Sequence, residues 1–229
     1  MSPPTIPGLE ILAELGRGTS AIVFAARDIV IDRRVALKMP RFDSASEGFN
    51  PWEQFMFESR VLAALSEPGM HIPPLHMVGE YAGQPYYVRE FVDGATLLEQ
   101  GAKGLIDFMS ALRVLVEVAS VVQRVHGRGL VHRNLSAENV LIAKDGTPWL
   151  IGFGRVRRLY ESRLSDSEPP FGAITDVDVR GLQRMLKWVC QAIHDPIPRG
   201  LEDAQQPDAF ADAREFAEAI AAFIRRGSA

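Results

Sequence analysis

Residues Gly129 to Ile142 read G-L-V-H-R-N-L-S-A-E-N-V-L-I, and Trp149 to Gly154 read W-L-I-G-F-G. Apolar text frames a polar turn in which Asn134 and Asn139 stand five residues apart, and Gly152 follows Asn139 by thirteen. An amide such as Asn134 accepts a hydrogen bond but cannot take a proton at neutral pH. Ser136 adds only a neutral hydroxyl, and Gly152 has no side chain to ligate anything. The amide oxygen of Asn139 alone is a poor site for a hard, reluctantly dehydrated cation such as Mg²⁺. At these positions the stretch offers polar groups without anionic oxygens.

Composition narrows the class. The chain has 229 residues, 47% hydrophobic and 24% charged, which fits one large globular domain or two small lobes and no disordered or collagenous class. A net charge of −4 argues against a nucleic-acid or membrane-surface binder, which needs clustered cations to meet phosphates. The lone Cys190 has no partner for an internal disulfide, and no run approaches the roughly 18 apolar residues that span a bilayer. The opening M-S-P-P-T-I-P-G-L-E lacks a basic segment followed by an apolar one, so no secretory signal is expected and the cytoplasm is the default location.

Outward from the deciding stretch, the two halves differ. Leu9 to Leu15, Ala21 to Ala26 and Arg34 to Lys38 read as three short strands. Trp52 to Leu65 reads as a helix with Phe55, Val61, Leu62 and Leu65 on one face, stopped by Glu67-Pro68-Gly69. Strands near Met77 to Tyr81 and Tyr86 to Phe91 follow, joined by Ala82-Gly83-Gln84-Pro85. From there the text is mainly helical, over Leu105 to His126, Val177 to His194 and Ala213 to Ile224. The expectation is a bilobal α+β protein: a five-stranded antiparallel first lobe with one helix, residues 8–92, and a shortened, mainly helical second lobe, residues 93–229.

The first glycine turn reads G-R-G-T-S-A-I-V, Gly16 to Val23, where a missing Cβ lets backbone amides approach phosphates; alone it reads equally well as an ordinary hairpin turn. Twenty residues after Gly18 comes V-A-L-K, ending at Lys38, and Glu58 lies on the next helix. P-Y-Y-V-R-E-F-V-D-G-A-T-L, Pro85 to Leu97, precedes the helical half. In this order these stretches resemble the protein kinase family, in the style of bacterial Ser/Thr kinases, along nearly the whole chain. The resemblance implies that Gly16 and Gly18 border the nucleotide phosphates and that Lys38 contacts them while paired with Glu58. It also implies that Glu90 and Val92 offer backbone groups to adenine, with Val23, Ala36 and Leu141 around the ring.

The same resemblance makes the departures legible. The family's H-R-D-L-K-x-x-N becomes His132-Arg133-Asn134-Leu135-Ser136 with Asn139, and its D-F-G becomes Gly152-Phe153-Gly154. The first Asp takes the proton of the attacking hydroxyl, the Lys stabilises the transferring phosphoryl group and the second Asp holds Mg²⁺. Losing a general base typically costs about 10² to 10⁴ in rate. Arg89 falls on the gatekeeper position, where a guanidinium needs an anion or incurs several kcal/mol of desolvation. Arg89 is expected either to compete with Lys38 for Glu58 or to occupy space near the nucleotide, making the pocket poor; an arginine snorkelling at the pocket edge is the plainer alternative.

Downstream, Ser167-Glu168-Pro169 is at best a remnant of the family's A-P-E. D-V-D-V-R-G-L, Asp176 to Leu182, resembles the helix start whose Asp caps the catalytic loop. About 45 residues follow, fewer than the family's late helices need, and Phe210 takes the place of an arginine that pairs with A-P-E. Arg155, Arg157, Arg158 and Arg163, with Arg133 directed towards them, form either a solvated basic surface balanced by Glu161, Asp166 and Glu168 or a site for an anion or acidic partner.

The sequence thus points to a catalytically inactive kinase homologue, a pseudokinase acting as scaffold or allosteric binding module. It requires no cofactor, leaves room for weak metal-independent ATP binding, makes Mg²⁺ unlikely, with Asn139 a weak ligand at best, and expects a protein partner. The alternative is an atypical ATP-dependent protein Ser/Thr kinase with residual transfer, since Lys38, Glu58 and Asn139 persist. A small-molecule kinase would need the same two absent aspartates.

Overall fold

In this computed structural model, residues 4–41, 51–159, 171–194, 198–206 and 209–227 are described. They fall into two compact units, Met1–Val92 and Asp93–Ala229.

The first unit is one antiparallel sheet and one helix. Strands β1 (Leu9–Arg17), β2 (Ala21–Asp28), β3 (Arg33–Pro40), β4 (Leu75–Tyr81) and β5 (Gln84–Glu90) lie in the order β1-β2-β3-β5-β4. Period-two alternation sorts the side chains. Phe24, Ala26, Val35, Leu37, Met39, Tyr86 and Val88 pack on one face with Ile6. Tyr87 projects to the other face and stacks on Phe55 of helix α1 (Pro51–Leu65) at 5.2 Å between ring centroids. Phe55, Glu58, Leu62 and Leu65 recur at helical spacing along the buried stripe of α1. The β4–β5 connection is a two-residue turn, with Ala82 and Gly83 both at positive φ, so Gln84 and Pro85 belong to the strand and not to the turn.

The second unit is mainly helical. The helix expected over Leu105 to His126 is α3 (Phe108–Gly127), and a short helix not expected from the sequence, α2 (Leu97–Ala102), precedes it. Thr96 and Glu99 form a reciprocal capping box on α2. Asp107 caps α3 by accepting from the Ser110 amide, and Leu105 between the helices is exposed. Helix α4 (Phe171–Val189) starts before the expected Val177 and ends in a wider π turn, Cys190–His194. Helix α5 (Ala213–Gly227) packs against α3 and buries Phe216 and Ile220.

Two small sheets hold the loops of interest. Strands β6 (Gly94–Thr96), β8 (Val140–Ala143) and β9 (Pro148–Leu150) pair in the order β6-β8-β9, and β7 (Leu130–Val131) pairs with β10 (Arg157–Arg158). Among the described residues no helix is long and apolar enough to cross a membrane.

Candidate functional site

On the first unit, β3 and α1 bring Lys38 and Glu58 together. Lys38 Nζ donates to both carboxylate oxygens of Glu58 at 2.7 Å, and the carboxylate is almost wholly buried. A third group completes the cluster: the Tyr87 hydroxyl donates to Glu58 Oε1 at 3.0 Å. Tyr87 lies directly across the ladder from Lys38, whose ammonium sits 5.6 Å from the Tyr87 ring centroid. Burial, and then the adjacent Glu58 charge, push the Tyr87 phenol well above its ordinary range.

Arg89 departs from expectation. It is buried, with 8% of its surface exposed, and makes no bond to Glu58, whose oxygens are already occupied by Lys38 and Tyr87. Neither does it spread into solvent as a snorkelling side chain would. Its Nε is sealed without an acceptor among the described residues.

Around this cluster, Val23 pairs with Lys38 and Ala36 with Arg89 across the ladder. Gly16 pairs with Val23 just after a register shift in β1, and a Cβ there would meet nothing within 4 Å. The Gly18 amide donates to Ala21 O at 2.9 Å, closing the turn, and Arg41 Nη1 donates to Gly18 O. The Glu90 amide donates to Pro74 O at the end of β5, with its side chain exposed, and Val92 is the last residue of the unit.

On the second unit, the loop from His132 to Asn139 is built on Asp178. Of the two aspartates in D-V-D-V, Asp178 is fully buried and accepts from the amides of His132 at 2.8 Å and Arg133 at 2.7 Å, and from His126 Nε2 at 2.9 Å. Asp176 instead pairs with Arg180 at 2.7 Å. Burial alone would raise the Asp178 carboxyl, but the His126 hydrogen bond and the His132 amide leave it below its usual range. His126 and Tyr87 are the contributors that the motifs had not flagged.

His132 is buried, with Nδ1 accepting from the Asn134 amide at 3.2 Å and Nε2 within 3.0 Å of Ile151 O. Those two bonds fit the neutral tautomer protonated at Nε2. The amide side chains then close on the backbone of the same cluster. Asn134 Nδ2 donates to Gly152 O at 3.3 Å, and Asn139 Nδ2 donates to Asn134 O at 2.8 Å and Ser136 Oγ at 3.2 Å. Gly152 has φ +85°, and a Cβ built there would lie 2.5 Å from Asn139 Cγ. The Asn139 carboxamide occupies the space a side chain at 152 would need. Amide and hydroxyl oxygens are all that Asn134, Ser136 and Asn139 could present to Mg²⁺, a donor set that does not fit it.

Leu141 is half-buried on β8, between Thr96 and Trp149. Arg157 and Arg158 pair with Val131 and Leu130, the strand that runs into His132 and Arg133. Arg133 and Arg155 are exposed, and Arg157 Nη1 donates to Val156 O. Phe210 packs edge-on against Phe216 at 5.3 Å. Arg163, Ser167, Glu168 and Pro169 lie outside the described residues.

A search of family descriptions matches residues 9–169 to the protein kinase domain. The chain belongs to the protein kinase family. Over 168 residues it is 34% identical to the probable serine/threonine-protein kinase PknB of Lactococcus lactis, covering 72% of this chain and 26% of that one. It is 30% identical over 167 residues to the serine/threonine-protein kinase PrkC of Bacillus subtilis, covering 72% and 25%. The chain therefore spans about a quarter of the length of these curated relatives. The Mycobacterium tuberculosis PknI kinase domain has the same bilobal fold, with a TM-score of 0.70 at 22% identity over 96% of this chain and 97% of that one. The five-stranded sheet and helical second half are the kinase-like fold expected from the sequence.

Proposed function

We propose that this kinase-family chain works as a binding module that does not transfer phosphate, with weak, metal-independent nucleotide binding on the Lys38 face of the first unit. The observation that carries this reading is the Asn134–Asn139–Gly152 cluster. Its two amide side chains are held by neutral hydrogen bonds to backbone carbonyls of the same cluster, Asn134 Nδ2 to Gly152 O and Asn139 Nδ2 to Asn134 O, and the Asn139 amide fills the place of a side chain at Gly152. A general base must accept a proton near neutral pH, and no group at Asn134 can. The module acts on a protein partner as scaffold or allosteric subunit, in the cytoplasm.

One observation favours the alternative, an atypical Ser/Thr kinase: Lys38 and Glu58 form their pair in full, at 2.7 Å to both oxygens. Radiolabel transfer from γ-labelled ATP by purified protein, with Lys38→Met as control, separates the two. Background transfer unchanged by Lys38→Met supports the silent module, and stoichiometric transfer abolished by that substitution establishes the enzyme. A thermal-shift titration with ATP, with and without Mg²⁺, reads the cofactor: stabilisation of similar size in both supports binding without metal, and a large Mg²⁺-dependent gain refutes it.

A further inference from the structure

The second unit holds a cavity of about 190 Å³ between α2, α4 and the loop that carries Asn134 and Asn139. Its lining is largely apolar: Leu135 and Met185 are buried, and Leu98 and Trp188 are half-buried. Two helical glycines seat that lining. A Cβ at Gly101 of α2 would lie 2.5 Å from Trp188 Cη2, and one at Gly181 of α4 would lie 2.7 Å from Leu135 Cβ. Glycine inside a helix is unfavourable relative to alanine, so both helices carry a local cost where Trp188 and Leu135 come close. An apolar cavity of ~150 Å³ holds one benzene, which sets the size of occupant here at a single branched aliphatic or one-ring side chain. The polar part of the lining has both signs. Glu138 and Arg184 border the cavity and are exposed, and neither side chain has an ion pair or hydrogen bond among the described residues, not even with the other. The Ser136 hydroxyl already accepts from Asn139 Nδ2.

We infer that this cavity binds a free apolar α-amino acid, such as leucine or phenylalanine, as the zwitterion. The inference stands apart from the nucleotide reading, because every residue it uses lies on the second unit. A free amino acid carries an ammonium, a carboxylate and a side chain on one carbon. The side chain fills the cavity, the ammonium donates to the Glu138 carboxylate, and the Arg184 guanidinium donates to the ligand carboxylate as a fork. Burial of the side chain supplies most of the affinity, and the two charges supply the choice of ligand. A residue inside a polypeptide has lost both charges to peptide bonds and leaves Glu138 and Arg184 unanswered. A purely apolar molecule does the same.

Equilibrium dialysis of radiolabelled leucine and phenylalanine against the whole chain tests this, with unlabelled analogues as competitors. One saturable site is expected. Leucinamide, which lacks the carboxylate, and N-acetylleucine, which lacks the ammonium, should each compete about fivefold more weakly than leucine or worse. Alanine, which leaves the cavity unfilled, should compete at least about tenfold more weakly. Arg184→Gln should remove the difference between leucine and leucinamide, and Glu138→Gln the difference between leucine and N-acetylleucine. Both side chains are exposed, so both variants should fold. Absence of saturable leucine or phenylalanine binding in the millimolar range overturns the inference. So does N-acetylleucinamide competing as well as leucine, which would make the cavity a socket for a residue of a partner polypeptide. Charge variants that leave the order of competition unchanged overturn it as well.

Discussion

Tyr87→Phe isolates the third hydrogen bond to Glu58, beside the two from Lys38. The substitution keeps the ring that stacks on Phe55 at 5.2 Å and lies under the Lys38 ammonium, and it removes the hydroxyl that donates to Glu58 Oε1 at 3.0 Å. A hydrogen bond to a charged group contributes about 1.5–3 kcal/mol, but both Glu58 oxygens keep Lys38 as donor, so the loss at pH 8 should be about 1–2 kcal/mol. For a chain of this size that lowers Tm by roughly 2–8 °C.

The pH dependence makes the test sharper. Because the Tyr87 phenol is raised in the folded protein, its contribution is fully present below the unfolded phenol value of about 10 and is lost as pH rises towards the folded value. Within that window wild type should lose about 1.4 kcal/mol per pH unit relative to Tyr87→Phe, because the unfolded phenol ionises while the buried one does not. Urea denaturation of both proteins at pH 8, 10 and 11 should show the gap shrinking above pH 10 and closing near pH 11. A gap that stays constant from pH 8 to pH 11, or no gap at pH 8, refutes the assignment of Tyr87 as a buried donor to Glu58.

Three further perturbations probe the second unit. Asp178→Asn should cost about 3–5 kcal/mol in urea denaturation at pH 7, because one amide oxygen cannot serve two backbone N–H groups and His126. Since the folded Asp178 carboxyl is depressed, its contribution is present above the unfolded value of about 3.9 and is lost as pH falls through the folded one, so the gap should narrow in acid. Gly152→Asp should cost about 1–3 kcal/mol through its positive φ and its collision with the Asn139 carboxamide, and Asn139→Ala in the same chain should recover part of that in a double-mutant cycle; strict additivity would contradict the collision. Thr96→Ala removes one half of the α2 capping box and should cost about 1 kcal/mol by thermal unfolding, with no loss counting against the cap.

Legibility followed the range of the signal. Lys38 and Glu58 were readable because a strand and a helix twenty residues apart carry them in fixed order. Tyr87 was not, because alternation along β5 makes any apolar-bodied residue there look like core, and only the ladder register shows it opposite Lys38. The expected Arg89–Glu58 contact failed for a counting reason: a strand pattern does not reveal how many donors a carboxylate already holds. Helix α2 is too short for periodicity to declare, although Thr96 followed three residues later by Glu99 was a capping signature in plain text. Gly104 at positive φ and Asp107 as cap are likewise the local signals that separate α2 from α3 and start α3 at Phe108, not Leu105.

The Lys38–Glu58 pair and the loop from Asn134 to Asn139 handle charge in opposite ways. On the first unit an ion pair survives, buried and supported by a third donor. In the loop, Asn134 donates through Nδ2 to Gly152 O, a bond no carboxylate could make, since two acceptor oxygens would then face each other. Carboxylates crowded into one loop repel unless a cation sits between them, and the side chains of Asn134, Ser136 and Asn139 have no such need. As they stand their amides are bonded within the loop, so an aspartate at Asn134 breaks the bond to Gly152 O and one at Gly152 meets the Asn139 carboxamide. A loop whose neutral bonds are mutually satisfied is stable without a metal, which is the property a binding module requires and a phosphotransferase does not.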